Sequence, residues 1–181
     1  MQMMKTAPSP QGMRLPHGTN ALLHAWHLAL VHLIDSRATL LEAEEMYAVF
    51  EEKSASYALA MLSVGFARYA SDIVLCAEEL PDKIVFRLTG VCRKADTHLS
   101  QNNMLPKTKE RRTLLEDYLS RSGMAFFLSQ EENTLSLSIV FSRFLAERYD
   151  VRAVDAESLY CTFYDAMLFL SGDAPKRPLP R

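Results

Sequence analysis

Residues 134–144, TLSLSIVFSRF, alternate with a period of two: Leu135, Leu137, Ile139 and Phe141 fall on one side, Ser136, Ser138, Val140 and Ser142 on the other. Successive side chains of a strand point to opposite faces, so the stretch predicts a strand with one buried face and one nearly wet face. That pattern belongs to an antiparallel sheet covered on a single side. Just before it, MAFFLSQ (124–130) reads as a partner strand, and EEN (131–133) is short enough to be the hairpin turn.

Moving outward, KERRTLLEDYLSRSG (109–123) is a helix with Leu114, Leu115, Tyr118 and Leu119 inward and Gly123 placed to end it. Before it, RKADTHLSQNNMLPKT (93–108) has no apolar period and reads as a loop. Two further strands, DIVLCAEEL (72–80) and KIVFRLTGVC (83–92), are joined by the turn residues Pro81 and Asp82. Toward the N-terminus the period becomes 3.6. A first helix is predicted over 19–35, with Leu22, Leu23, Trp26, Leu30, Leu33 and Ile34 on one stripe. After a break at DSRAT (35–39), a long helix is predicted from Leu40 to Ala70. A last helix over 154–171 carries Leu159, Phe163, Met167 and Leu170 on one face.

The fold class that follows is α+β: an N-terminal helical hairpin, a mixed or antiparallel ββ-α-ββ sheet covered by helices on one face, and an extra C-terminal helix. The organisation expected is a loose arm over 1–17, the hairpin over 18–53, the sheet unit over 54–145, a helical addition over 146–172 and a proline-rich basic tail over 173–181. The tail holds Pro175 and Pro178 at P-x-x-P spacing, within reach of extended-peptide readers.

Composition narrows the function. Over 181 residues the formal net charge is −2, which supplies no global positive field for nucleic acid or an anionic membrane. Cys76, Cys92 and Cys161 are odd in number and widely spaced, against a disulfide framework or a cysteine zinc site. No apolar run approaches a membrane span of about 18 residues. The apolar run 21–34 is diluted by histidines and preceded by Pro8, Pro10 and Pro16, unlike a signal peptide. A cytoplasmic protein without a resident cofactor or metal is expected. No G-x-x-x-x-G-K-[ST] and no G-x-S-x-G occurs.

ALLHAWHLALVHLID (21–35) concentrates three of the five histidines. On a helical wheel His24 and His32 face away from the apolar stripe and His27 sits at its edge. A phosphoacceptor needs one exposed ring nitrogen and a neighbour that fixes the other. His32, oriented by Asp35 one turn on, is the first candidate and His24 the second. A metal would need more ligands than His24 and His27 offer, so no metal site is expected. The basic run KTKERR, Lys107 to Arg112, stands at a helix start. The acidic run LEAEEMYAVFEEK (41–53) is read as the solvated face of a helix.

From Tyr57 to Phe141 the element order and apolar pattern resemble the ATP-binding domain of histidine kinases, the GHKL fold. LSVGFARYA is similar to that family's L-L-x-N-A-x-K-Y-A helix at Leu62, Arg68, Tyr69 and Ala70, and SGMAFFLSQEENTLSLSIVF resembles its closing strand pair. The resemblance places Gly65 where the family has its magnesium-binding Asn, and Thr89 and Gly90 where it has the Asp that receives adenine. It implies a degenerate nucleotide cleft near Gly65, Thr89 and Gly90, since the glycine-rich lid is missing as well. The expected role is a non-catalytic bacterial signalling adaptor, not an enzyme, working through protein contacts and as a homodimer through the N-terminal helices. The resemblance also implies an alternative, a histidine phosphotransferase passing phosphate between response-regulator receiver domains through His32 or His24; a second alternative is a small-ligand-binding module in a rebuilt nucleotide cleft.

Overall fold

The computed structural model describes residues 14–94, 97–144 and 156–171. The sequence-predicted fold class holds: a mixed α+β chain of seven strands and five helices among the described residues. Strand β7 (Thr134–Arg143) is central. It pairs antiparallel with β5 (Lys83–Cys92) along its length, and with β6 (Ala125–Glu131) on its other side. Its inward residues Leu135, Leu137, Ile139 and Phe141 are fully buried, as the alternation requires. Beyond β5 lies β4 (Ala70–Glu79), antiparallel to it, and then β2 (Ala38–Leu40), parallel to β4. At the far end of β7, β3 (Tyr47–Phe50) and then β1 (Leu15–Gly18) extend the sheet, giving the order β1-β3-β7-β5-β4-β2.

The N-terminal part differs from the sequence expectation. No helical hairpin spans 18–53 and no helix begins at Leu40. Instead α1 (Thr19–His32) is followed by β2, β3 and then α2 (Glu52–Tyr69). YAVF, with its β-branched and aromatic residues, alternates between half-buried and buried and is claimed by β7 through Ala48↔Arg143 and Val49↔Ser142. Helix α2 can begin only afterwards. There the Glu51 carboxylate accepts from the Ser54 amide at 2.9 Å, closing the first turn. The arm expected over 1–17 ends in strand β1, whose His17 is buried. Residues 1–13 and the basic tail lie outside the described residues.

Helices α1 and α2 carry the apolar stripe toward the sheet, with Trp26, Leu30, Leu59, Leu62 and Phe66 buried. Helix α4 (Lys109–Ser122) packs against α2 and ends, as predicted, at Gly123 with φ of +76°. Helix α5 (Ala156–Ser171), the predicted C-terminal addition, packs across α1 and α2 with Leu159, Tyr160, Phe163 and Ala166 buried. A fully buried side chain of the leucine or phenylalanine kind contributes about 1.5–3 kcal/mol, which fixes this helix as part of the core. In consequence α1 is covered by β2, α2 and α5, and His24 is its exposed residue.

Candidate functional site

The histidines fall in separate surroundings. His24 lines a groove of about 170 Å³ with Asn20, Leu40, Leu41 and Glu42. His27 is partly buried and its Nε2 lies 2.9 Å from the Ala38 carbonyl oxygen, which ties α1 to β2. His32 is the last residue of α1 and half-buried. Asp35 lies past the helix end with φ of 58°, so the one-turn helical spacing assumed between His32 and Asp35 does not apply. Sequence reasoning missed His17. Its ring is buried 4.7 Å from the Phe50 ring, and its Nε2 is 3.5 Å from Glu52 Oε1. The inward place of residue 17 on a strand was the available signal.

The family resemblance points instead to the inner side of α2, where Gly65 and Gly90 lie. A methyl group at position 65 would overlap the Met104 carbonyl oxygen and stand 3.1 Å from its carbonyl carbon. Only glycine lets the two backbones approach so closely. At Gly90 a methyl would stand 2.9 Å from both Ala70 Cβ and the Ser71 carbonyl oxygen, with the Phe66 ring 3.4 Å away. Gly90 is thus buried between β4 and Phe66, while Thr89 points to the opposite face of the sheet by alternation.

Met104 ends a segment that sequence reading treated as loop. It contains a short helix, α3 (Gln101–Met104), and Met104 is 1% exposed. The Ser100 amide donates to Asn103 Oδ1 at 2.8 Å and the Asn103 amide to the Ser100 carbonyl at 2.9 Å, which locks the turn locally. Strand β6 holds the segment from the other side. Gln130 accepts from the Leu99 amide at 3.0 Å and donates to the Thr97 carbonyl at 2.9 Å. Gln101 Nε2 donates to the Phe126 carbonyl at 2.7 Å. The segment is therefore clamped between α2 and β6.

Gly65 and Met104 themselves line a cavity of about 160 Å³ that opens beside this clamp. Met61, Val64 and Leu170 form an apolar part of its wall, and Arg68, Lys107 and Arg111 supply charge. Thr108 caps α4 here, its hydroxyl accepting from the Arg111 amide at 3.3 Å. Nearby, the Tyr57 and Tyr118 rings are 5.2 Å apart. Burial, then the Asp165 charge, then Tyr118 raise the Tyr57 pKa; burial, then Asp117, raise that of Tyr118 against the opposing pull of Arg121. Among the described residues no group of three or more His, Cys, Asp or Glu side chains could hold a metal ion, and no helix is long and apolar enough to cross a membrane.

With the geometry established, comparison with known proteins gives the fold. No protein-family model matches the chain, and no curated protein matches it by sequence. Solved structures do. The catalytic domain of histidine kinase ThkA, nucleotide free, superposes with a TM-score of 0.54 at 11% identity, over 72% of this chain and 97% of that one. The histidine kinase domain of the E. coli osmosensor EnvZ gives 0.50 at 11% identity, over 82% and 99%. Acinetobacter baumannii histidine kinase AdeS gives 0.50 at 8% identity, over 72% and 67%. The chain therefore has the fold of histidine-kinase catalytic domains.

Proposed function

We propose that this chain is a non-catalytic signalling adaptor: a histidine-kinase-like domain with a degenerate nucleotide cleft, acting through protein contacts. The observation that carries the reading is the contact between Gly65 and Met104. The family resemblance assigns position 65 to the Asn that holds magnesium, and here that position has no side chain and is covered by backbone. Gly90, set beside Thr89 where the resemblance expects an Asp, lies under Phe66 and offers no acceptor charge. These residues do not fit a magnesium nucleotide. A fold of this kind without a working nucleotide cleft acts through its surface, by protein contacts and without a cofactor.

The test is binding of a fluorescent ATP analogue with magnesium, followed by incubation with radiolabelled ATP. The expected result is neither saturable binding nor incorporation. Saturable binding, or phosphorylation of the chain, would overturn the reading.

One observation favours the phosphotransferase alternative: His24 is exposed on α1. Its groove also holds Glu42, whose charge opposes the approach of a phosphoryl group. The half-buried His32 has lost its helical relation to Asp35. Incubation with a phosphorylated receiver domain separates the two readings, because only the phosphotransferase acquires label that His24→Ala or His32→Ala removes. The homodimer through the N-terminal helices has little support, since α1 is already covered within the chain.

A further inference from the structure

We propose that the aromatic row formed by Tyr57, Tyr118 and Phe169 is a docking surface for a proline-rich strand, and that its occupant is this chain's own tail, residues 173–181. The inference goes beyond the adaptor reading and stands without it. Three helices build the row: Tyr57 comes from the first half of α2, Tyr118 from α4 and Phe169 from the end of α5. Tyr57 is in the middle, its ring centroid 5.2 Å from that of Tyr118 and 6.3 Å from that of Phe169, spacings of rings in contact. Phe169 is nevertheless 48% exposed and both tyrosines are only half-buried, so one side of the row faces solvent. Charged groups border it. Asp165 lies near enough that its charge, after burial, raises the Tyr57 pKa. Asp117 is paired with Arg121 at 2.9 Å, whereas among the described residues no ion pair holds Asp165. Lys53 Nζ stands 5.9 Å from the centre of the Tyr57 ring, so a cation is already accepted on a ring face.

Chemistry and position both select the tail. GDAPKRPLPR (172–181) carries Pro175 and Pro178 at P-x-x-P spacing, with Lys176, Arg177 and Arg181 against the single Asp173. In a polyproline II helix, three residues per turn put Pro175 and Pro178 on one face about 9 Å apart. That falls within the two ring spacings of the row. Proline has no N–H, so its ring packs on an aromatic without leaving a donor unsatisfied. Aromatic-lined surfaces take proline-rich segments on this basis, and the preset backbone loses little freedom on docking. The bases beside the prolines complement Asp165. Position is the stronger argument. Helix α5 ends at Ser171, two residues past Phe169, and Gly172 follows. Glycine permits the left-handed turn by which a chain doubles back from a helix end. Contact within one chain runs at an effective concentration of ~1 mM, so a pairing of about 100 μM suffices for roughly tenfold occupancy. A tail held there also withholds its P-x-x-P face from extended-peptide readers.

Trypsin reads the tail directly, because it cuts after Lys176 and leaves the Arg177–Pro178 bond intact. The initial rate at which residues 177–181 are released from the full chain is measured by mass spectrometry, beside the rate from the free peptide GDAPKRPLPR. The rate in the chain should be about tenfold lower, rising to that of the peptide in Phe169→Ala. Pro175→Ala with Pro178→Ala, compared with a peptide carrying the same changes, should lose the protection too and alters no residue of the core. Leu41→Ala, at another exposed apolar residue, should keep it. The emission of Trp26 verifies that each variant is folded. A chain cut as fast as the peptide overturns the proposal, as does protection that survives Phe169→Ala or is lost equally in Leu41→Ala. Protection that fades on dilution overturns it as well, since the occupant is then the tail of a second copy.

Discussion

The Trp26 indole N–H donates to the Ser63 hydroxyl at 2.7 Å, and both side chains are fully buried, joining α1 to α2 through a polar bond inside an apolar core. Removing the acceptor leaves a buried donor with its desolvation uncompensated, at a cost of about 1–3 kcal/mol. Ser63→Ala should lower the stability read from urea unfolding by that amount. Trp26 is the single tryptophan, so its emission reports the transition directly. An unchanged midpoint would show that the indole finds another partner.

Gln130 fastens the segment before α3 to β6 with two hydrogen bonds, to the Leu99 amide and the Thr97 carbonyl. Gln130→Ala should leave global stability within ~1–2 kcal/mol while accelerating amide exchange over 97–104, because local opening then costs less than global unfolding. Exchange unchanged in that window would mean the clamp is held by α2 alone.

Gly65→Ala tests the other jaw. The added methyl overlaps the Met104 carbonyl, and overpacking of this kind costs about 1–3 kcal/mol. Lower stability should come with faster exchange in 97–104 than elsewhere. Gly65→Asn, which supplies the side chain the kinase pattern expects, should do the same without creating ATP-analogue binding.

The tyrosines set an alkaline limit. Tyr57, Tyr118 and Tyr160 are all raised above their ordinary value near 10, in each case chiefly by burial. Above pH 10 the unfolded chain releases these protons while the folded one keeps them, so the unfolded state binds fewer and stability falls as pH rises. Below pH 10 both states hold the protons and these groups leave stability level. Denaturation midpoints measured beside tyrosinate absorbance should show the decline starting before the tyrosines of the folded protein titrate. Ionisation at the ordinary pH with no loss of stability would refute it.

Much of the sheet was legible because its information is local. Strict alternation in 135–142 needs no partner to identify it, and Gly123 announces the end of α4 by backbone freedom alone. Tyr47–Phe50 was misread because a four-residue strand embedded in LEAEEMYAVFEEK fits a helical wheel as well, and only β7 decides between the two. Gly65 stood out as a departure from the kinase-like helix, but its cause is a backbone about forty residues further on. No period announces that Gln101 and Gln130 will bind carbonyls across the fold, or that Arg68 will line one cavity with Lys107 and Arg111. Contacts between distant segments built the candidate site, and such contacts leave no pattern in a single sequence.

The central position of β7 also fixes when the protein can fold. Its partners β3, β5 and β6 come earlier in the chain, and β1 joins the sheet only through β3. Until the ribosome has released residue 143, β1 and β3 have no anchor and the apolar faces of β4 and β5 stand half-covered. Pairings such as Ala48 with Arg143 carry a large loop-closure cost, which makes the sheet slow to close and exposes its intermediates to aggregation. Nascent chains arrested before β7 should therefore be the natural clients of a chaperone.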